Sequence, residues 1–219
     1  MKLPLLSERL PTQFYQKPTE QVARDLIGKI LVRRLGRRWV GGMIVETEAY
    51  LFKGDEASHS SRGRTASNDS MFKQAGTLYV YPIHANHCFN IVTETSDVGC
   101  AVLIRSIEPI WGIKQMAFNR QTKDVRQLAR GPGRLCQALA IDRSHDGLHL
   151  DKSNRFRIAS SDAVPFEVVT TQRIGISKDA ELPLRFFINS NWFVSGRSRD
   201  HLDPPKKPSG LFTHAATLR

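Results

Sequence analysis

Glu46, Glu48 and Tyr50 alternate within the run Gly41-Gly-Met-Ile-Val-Glu-Thr-Glu-Ala-Tyr50. In a strand, successive side chains point to opposite faces, so these three share one face while Val45, Thr47 and Ala49 share the other. Two carboxylates and an aromatic make a poor packing surface, because charged groups are seldom buried without partners. The same face suits chemistry in which a carboxylate activates water beside a flat, stackable ligand. A solvated strand face ending in a tyrosine is the plainer alternative.

The elements that position these groups can be read from periodicity and turn residues. A helix is expected from about Pro18, with Thr19 as N-cap and an apolar stripe of Val22, Ala23, Leu26 and Ile27 ending at Gly28. Residues 29–35 and 39–50 read as strands joined by a short Gly-Arg-Arg turn. Residues 53–70 are polar and read as a long loop, which in a compact domain usually serves function or moves. Residues 77–83 and 87–93 pattern as a hairpin with its tip near His84-Ala85-Asn86, and residues 100–107 form a further strand, apolar until Arg105. Helical signals then dominate from Ile110 to Ala140, broken at Arg130-Gly-Pro-Gly133. Strands return at residues 155–159, 166–171 and 184–188, and a basic tail bearing Pro204-Pro-Lys-Lys-Pro208 is expected to be disordered. Together these predict a single α+β domain with a curved, mostly antiparallel sheet, flanking helices and a protruding β-hairpin.

Composition narrows the partners. The chain has 219 residues, 40% of them hydrophobic, enough for a real core. Its 32 Lys and Arg against 21 Asp and Glu give a formal charge of +11, which implies attraction to polyanions, with nucleic acid first and an anionic membrane second. No segment has the apolar length to span a bilayer, and the charged opening Met1-Lys-Leu-Pro-Leu-Leu-Ser-Glu-Arg9 does not read as a secretory signal. Cys88, Cys100 and Cys136 lack paired spacing and read as reduced, mostly buried thiols.

Several strings in order along the chain carry a family resemblance. Val45-Glu-Thr-Glu-Ala-Tyr50, Asp55-Glu-Ala-Ser-His59, Gly76-Thr-Leu-Tyr-Val-Tyr81, His87-Cys-Phe-Asn90, Val102-Leu-Ile-Arg105 and Gly131-Pro-Gly-Arg-Leu-Cys-Gln-Ala-Leu139 resemble the alkyladenine (3-methyladenine) DNA glycosylase family. The resemblance covers residues 12–197, leaving 1–11 as an N-terminal extension and 198–219 as a basic, flexible tail. It implies a monofunctional enzyme of base excision repair. Such an enzyme flips alkylated purines of the 3-methyladenine and 7-methylguanine type out of double-stranded DNA, hydrolyses the N-glycosidic bond and leaves an abasic site.

Residue by residue, Glu48 matches the family's general base and Arg105 the arginine beside the attacking water. Tyr50, His59 and Tyr81 match the residues that enclose the flipped base, and Asn90 the one that crowds the amino group of guanine. Ile174 falls where a backbone carbonyl holds the water. The hairpin tip departs from the family's aromatic-bearing pattern: Ile83-His-Ala-Asn-His87 is one residue shorter, which makes His84 the candidate DNA wedge and Ile83 the alternative. Tyr79 shares a face with Tyr81 and is the one expected to be core. Arg62, Arg64 and Lys73 are candidates for the DNA backbone. The resemblance requires neither metal nor organic cofactor and implies a monomer in the cytoplasm, at the nucleoid or in the nucleus, not secreted.

Three other readings carry less. His84, His87 and Cys88 with His59 could form a metal cluster, but the tip lacks zinc spacing. A non-catalytic nucleic-acid-binding module of related fold has no need of a Glu48–Arg105 pair. A membrane-surface protein would need an amphipathic basic helix, and none is visible.

Overall fold

The computed structural model describes residues 8–161 and 165–208. Two short helices, α1 (Thr12–Tyr15) and α2 (Thr19–Asp25), precede β1 (Ile30–Leu35) and the long strand β2 (Arg38–Tyr50). The hairpin β3 (Leu78–Ile83) and β4 (Asn86–Thr93) follows, then β5 (Cys100–Trp111). Helices α3 (Ile113–Arg120) and α4 (Pro132–Ala138) come next, and β6 (Phe156–Ala159), β7 (Val168–Thr171) and β8 (Arg185–Ile188) complete the sheet. All pairings are antiparallel, in the order β3-β4-β5-β2-β1-β6, with β7 and β8 attached to β2 off this path. The α+β class and the curled antiparallel sheet agree with the sequence.

β2 organises this sheet because its two halves have different neighbours. Along one edge, Arg38–Met43 pair with β1 and Glu46–Glu48 pair with β8, while β5 runs along the other edge from Gly41 to Tyr50. Register shifts against β5 on both sides of Glu46 mark a bulge where the edge passes from β1 to β8. A bulge bends a strand and re-aims its side chains, so the split falls at the acidic residues. Gly42, in the first half of β2, admits no side chain: a Cβ there would lie 1.8 Å from the Glu108 carbonyl oxygen.

Helix α2 closes one face of the sheet. Val22, Ala23 and Leu26 are buried in the main apolar cluster with Ile44, Ile104 and Phe187, and Thr47 donates to the Ala23 carbonyl at 2.8 Å. On α4, Leu135, Cys136 and Ala138 join Phe89 in the same cluster. All three cysteines are free and buried, as the sequence indicates.

Three local expectations are corrected. Pro18, not Thr19, is the N-cap of α2; Thr19 lies in the first turn, its amide and hydroxyl both donating to the carboxylate of Glu94 from beyond β4. Ile110 and Trp111 are not helical, because β5 continues to Trp111 and pairs there with Gly41; the helix begins only after Gly112, whose φ of +68° is left-handed. The start of the basic tail is tied down: Ser198–Asp200 form a 3-10 turn, Asp200 pairs with Arg185 at 3.2 Å, and Lys206 bridges to Asn191. Pro204–Pro208 therefore has a defined course, while residues 209–219 lie outside the described residues.

Candidate active site

Glu46 and Glu48 are both fully buried, so this face of β2 is not solvated. What allows it is a set of positively charged and hydroxyl donors brought by three other segments. Glu46 Oε1 accepts from Arg105 Nε at 3.2 Å, Arg185 Nε at 2.8 Å and Ser195 Oγ at 2.9 Å. Its Oε2 accepts from Ser106 Oγ and the Ser195 amide, each at 2.8 Å. Burial alone would raise the Glu46 pKa, but Arg105, Arg185 and the Ser195 hydroxyl pull it down to about 2. With both oxygens occupied, Glu46 acts as an anchor for its neighbours.

Glu48 is less saturated. Oε2 accepts from Arg105 Nη1 at 3.1 Å and the Tyr50 hydroxyl at 3.0 Å, and Oε1 accepts one bond, from the Ile174 amide at 2.8 Å. Ile174, expected to offer its carbonyl to water, offers its N–H to the carboxylate. Arg105 spans the two glutamates, and although burial opposes its charge, Glu48 and Glu46 raise its pKa above the ordinary value. It stays a cation, 3.1 Å from the Glu48 carboxylate.

The three partners of Glu48, namely Tyr50, Arg105 and Ile174, all line one cavity of about 510 Å³. That is a normal size for a small-ligand pocket. His59, Tyr79, Tyr81 and Asn90 form more of its wall, so residues of β2, the polar loop, β3 and β4 are brought together around it. His59 Nδ1 and the Tyr79 hydroxyl lie 2.8 Å apart, which leaves Nε2 for a ligand. Desolvation lowers the His59 pKa and so favours the neutral ring. The His59 and Tyr81 rings meet edge to face at 4.4 Å, and Asn90 Nδ2 donates across the hairpin to the Tyr79 carbonyl at 3.0 Å. Tyr79 is buried, but its ring also faces the cavity, so it is both core and wall.

At the hairpin tip, Ile83 pairs with Asn86, leaving His84 and Ala85 as an exposed two-residue turn with His84 at φ +51°. Ile83 lines the cavity mouth and is 39% exposed, whereas His84 stands at the apex outside the wall. Of the three loop cations, Arg64 is paired with Asp69 and Asp97, Lys73 is paired with Asp69, and Arg62 is exposed. Among the described residues, no three His, Cys, Asp or Glu side chains form a metal-holding group.

Sequence reasoning missed four contributors: Arg185, Ser106 and Ser195 around Glu46, and Arg173 behind Tyr50. Arg185 carried the same signal as Arg105, a lone cation in an apolar strand, Leu184-Arg-Phe-Phe-Ile188. The serines and Arg173 carry none that is local.

A buried carboxylate paired with an arginine beside an aromatic-walled cavity suits hydrolysis of a bond on a flat ligand. Comparison with known proteins identifies the class. A family model described as methylpurine-DNA glycosylase matches residues 13–192. A provisionally named 3-methyladenine DNA glycosylase of Rhodopirellula baltica is 50% identical over 90% of this chain and 88% of its own length. Others of that provisional name, from Chlorobium phaeobacteroides and Mesorhizobium japonicum, are 43% and 46% identical over 87% and 81% of the chain, and over 96% and 86% of their own lengths. The chain is a DNA glycosylase, a hydrolase acting on N-glycosyl bonds; it belongs to the methylpurine-DNA glycosylase family. No helix among the described residues is long and apolar enough to cross a membrane.

Proposed function

We propose that the protein is a monomeric, monofunctional glycosylase acting on double-stranded DNA in base excision repair. It flips 3-methyladenine- and 7-methylguanine-type purines into the aromatic-walled cavity and releases them by hydrolysis. The observation that carries this reading is Glu48, with one oxygen lightly used and its three partners all on the cavity wall. Names given to relatives point the same way.

The mechanism follows from charge. A 3- or 7-alkylated purine is a cation, so its N-glycosidic bond is weakened and the base leaves as a neutral molecule. Tyr50 and Tyr81 supply π faces that attract such a ring, and His59, whose Nδ1 is taken by Tyr79, bonds its edge through Nε2. Asn90, which donates to the Tyr79 carbonyl and lines the cavity, excludes normal guanine by crowding its amino group. As the bond breaks, positive charge develops on the sugar; Glu48 stabilises it and takes the proton of the attacking water, as carboxylates do in glycosidases. Arg105 and the Ile174 amide hold the Glu48 carboxylate in place, and the Ile174 segment positions the water. No step uses a lysine nucleophile, a metal or an organic cofactor, so the strand stays intact. His84 fills the gap left in the duplex, and Arg62, Arg64 and Lys73 follow the backbone, the latter two by exchanging their Asp69 and Asp97 partners for phosphates.

The test is a glycosylase assay on duplexes carrying one defined lesion each. The expected products are free methylated base and a strand that breaks only on alkaline treatment. Strand cleavage without alkali, or no base release from any alkylated purine, would contradict the proposal.

A further inference from the structure

Tyr50 has a second partner, one that does not line the cavity. The guanidinium carbon of Arg173 lies 4.7 Å from the ring centroid. Arg173 is not part of the cavity wall, so the face it covers is turned away from the space where a base would stack. This cation is completely buried and is neutralised by one residue: Asp55, also buried, accepts from Arg173 Nη1 and Nη2 at 2.7 Å each. The pair is fixed in place. Asp55 also accepts from the Leu51 amide at 2.9 Å, next to Tyr50, and Arg173 Nη1 donates to the Ala49 carbonyl at 3.0 Å.

We infer that the Asp55–Arg173 pair is a specificity-determining element that sets how strongly the Tyr50 face attracts a positively charged base over a neutral one. A cation on one face of an aromatic ring withdraws the electrostatic attraction that the other face offers to a second cation. With the guanidinium carbon 4.7 Å behind the ring and a base stacked in front, the two charges would be roughly 8 Å apart, in a site shielded from water, where their repulsion is felt. Asp55 cancels that repulsion and leaves Tyr50 open to cationic lesions. Neither residue touches the base; both act through Tyr50. The inference rests on the proposed function, since it presumes a base against Tyr50.

The test compares two ligands that differ by one charge and almost nothing in shape. Duplexes carry either 7-methylguanine, a cation, or 7-deaza-7-methylguanine, its neutral isostere. Binding is measured at pH 7.5 with the Glu48→Gln protein, so that no base is released. The readout is the ratio of the two Kd values, neutral over cationic. Asp55→Asn keeps the shape and one of the two accepting oxygens, replaces the other with an amide NH2, and leaves the full charge of Arg173 uncompensated, so the ratio should fall about five-fold. Arg173→Gln, which leaves Asp55 in place, should raise it by about three-fold or more. Asp55→Asn with Arg173→Gln removes both charges and should return the ratio to within about two-fold of the parent.

A purely structural role would weaken both ligands together and leave the ratio unchanged in every variant, which would overturn the inference. So would a double variant whose ratio stays as low as that of Asp55→Asn. If Asp55→Asn does not fold, Arg173→Gln carries the test, and an unchanged ratio there overturns the inference equally. Failure of the underlying function looks different: the Glu48→Gln parent would then bind neither lesion better than undamaged duplex.

Discussion

Two glutamates separated by one residue meet different surroundings, and that difference divides their work. Glu46 accepts five hydrogen bonds and Glu48 three, one of them on Oε1. Because the Glu46 pKa is lowered to about 2 on folding, its ionised form stabilises the protein above the ordinary carboxylate range. That contribution fades as pH falls from about 4.5 toward 2. Glu46→Gln should lower stability at neutral pH by about 2–4 kcal/mol, since two arginines lose their buried counter-charge. It should also flatten the acid limb of the stability profile, and excision should suffer less than in Glu48→Gln; chemical denaturation from pH 2 to 7 measures the first two. The shared face of Glu46, Glu48 and Tyr50 was legible in the sequence because strand alternation survives the bulge. The hairpin tip was only partly so. If His84 fills the duplex gap, His84→Ala should slow single-turnover excision from paired DNA by about ten-fold or more and spare single-stranded lesions, which have no stack to hold open. An unaffected His84→Ala beside a crippled Ile83→Ala would move the wedge to Ile83, the residue already at the cavity mouth.

The elements explain why those side chains converge. β2 borrows β8 as a second edge partner where β1 ends, and β8 delivers Arg185 to Glu46. Arg185 Nη1 is held in turn by Thr171 on β7 and by Asp200, each at 3.2 Å, so the segment after residue 197 reaches the anchor of the site. Arg185→Met should slow excision by roughly 10- to 100-fold, the scale of one charge-assisted hydrogen bond, with lesion binding affected less. Arg185→Lys should recover part of the loss, and equal losses in binding and excision would show a merely structural role. None of this handover is local in sequence: Arg185 lies 139 residues from Glu46, and a lone cation in an apolar strand does not say which carboxylate it meets. Local pattern also failed at the end of β5, where Pro109-Ile-Trp111 reads as the approach to a helix but is held extended by pairing with Gly41 and Gly42. The hairpin, the polar loop and α4 were legible because their punctuation by Gly, Pro and Asn is local.

For the whole molecule, a formal charge of +11 should dominate binding to undamaged duplex. The log–log slope of affinity against salt should be about −0.9 per phosphate neutralised, and Arg62→Ala should reduce it by about one unit if that exposed cation meets a phosphate. A flat salt dependence would argue against a backbone-tracking surface. The catalytic account depends most on one group, and one experiment addresses it directly: single-turnover release of 3-methyladenine from duplex DNA by Glu48→Gln, with binding measured on the same preparation. The amide preserves shape but is no longer a base. The account predicts that release is abolished while lesion-duplex affinity stays within about three-fold of the parent. Near-normal release by Glu48→Gln, with Glu46→Gln inactive but folded, would contradict it and assign the base to the other glutamate.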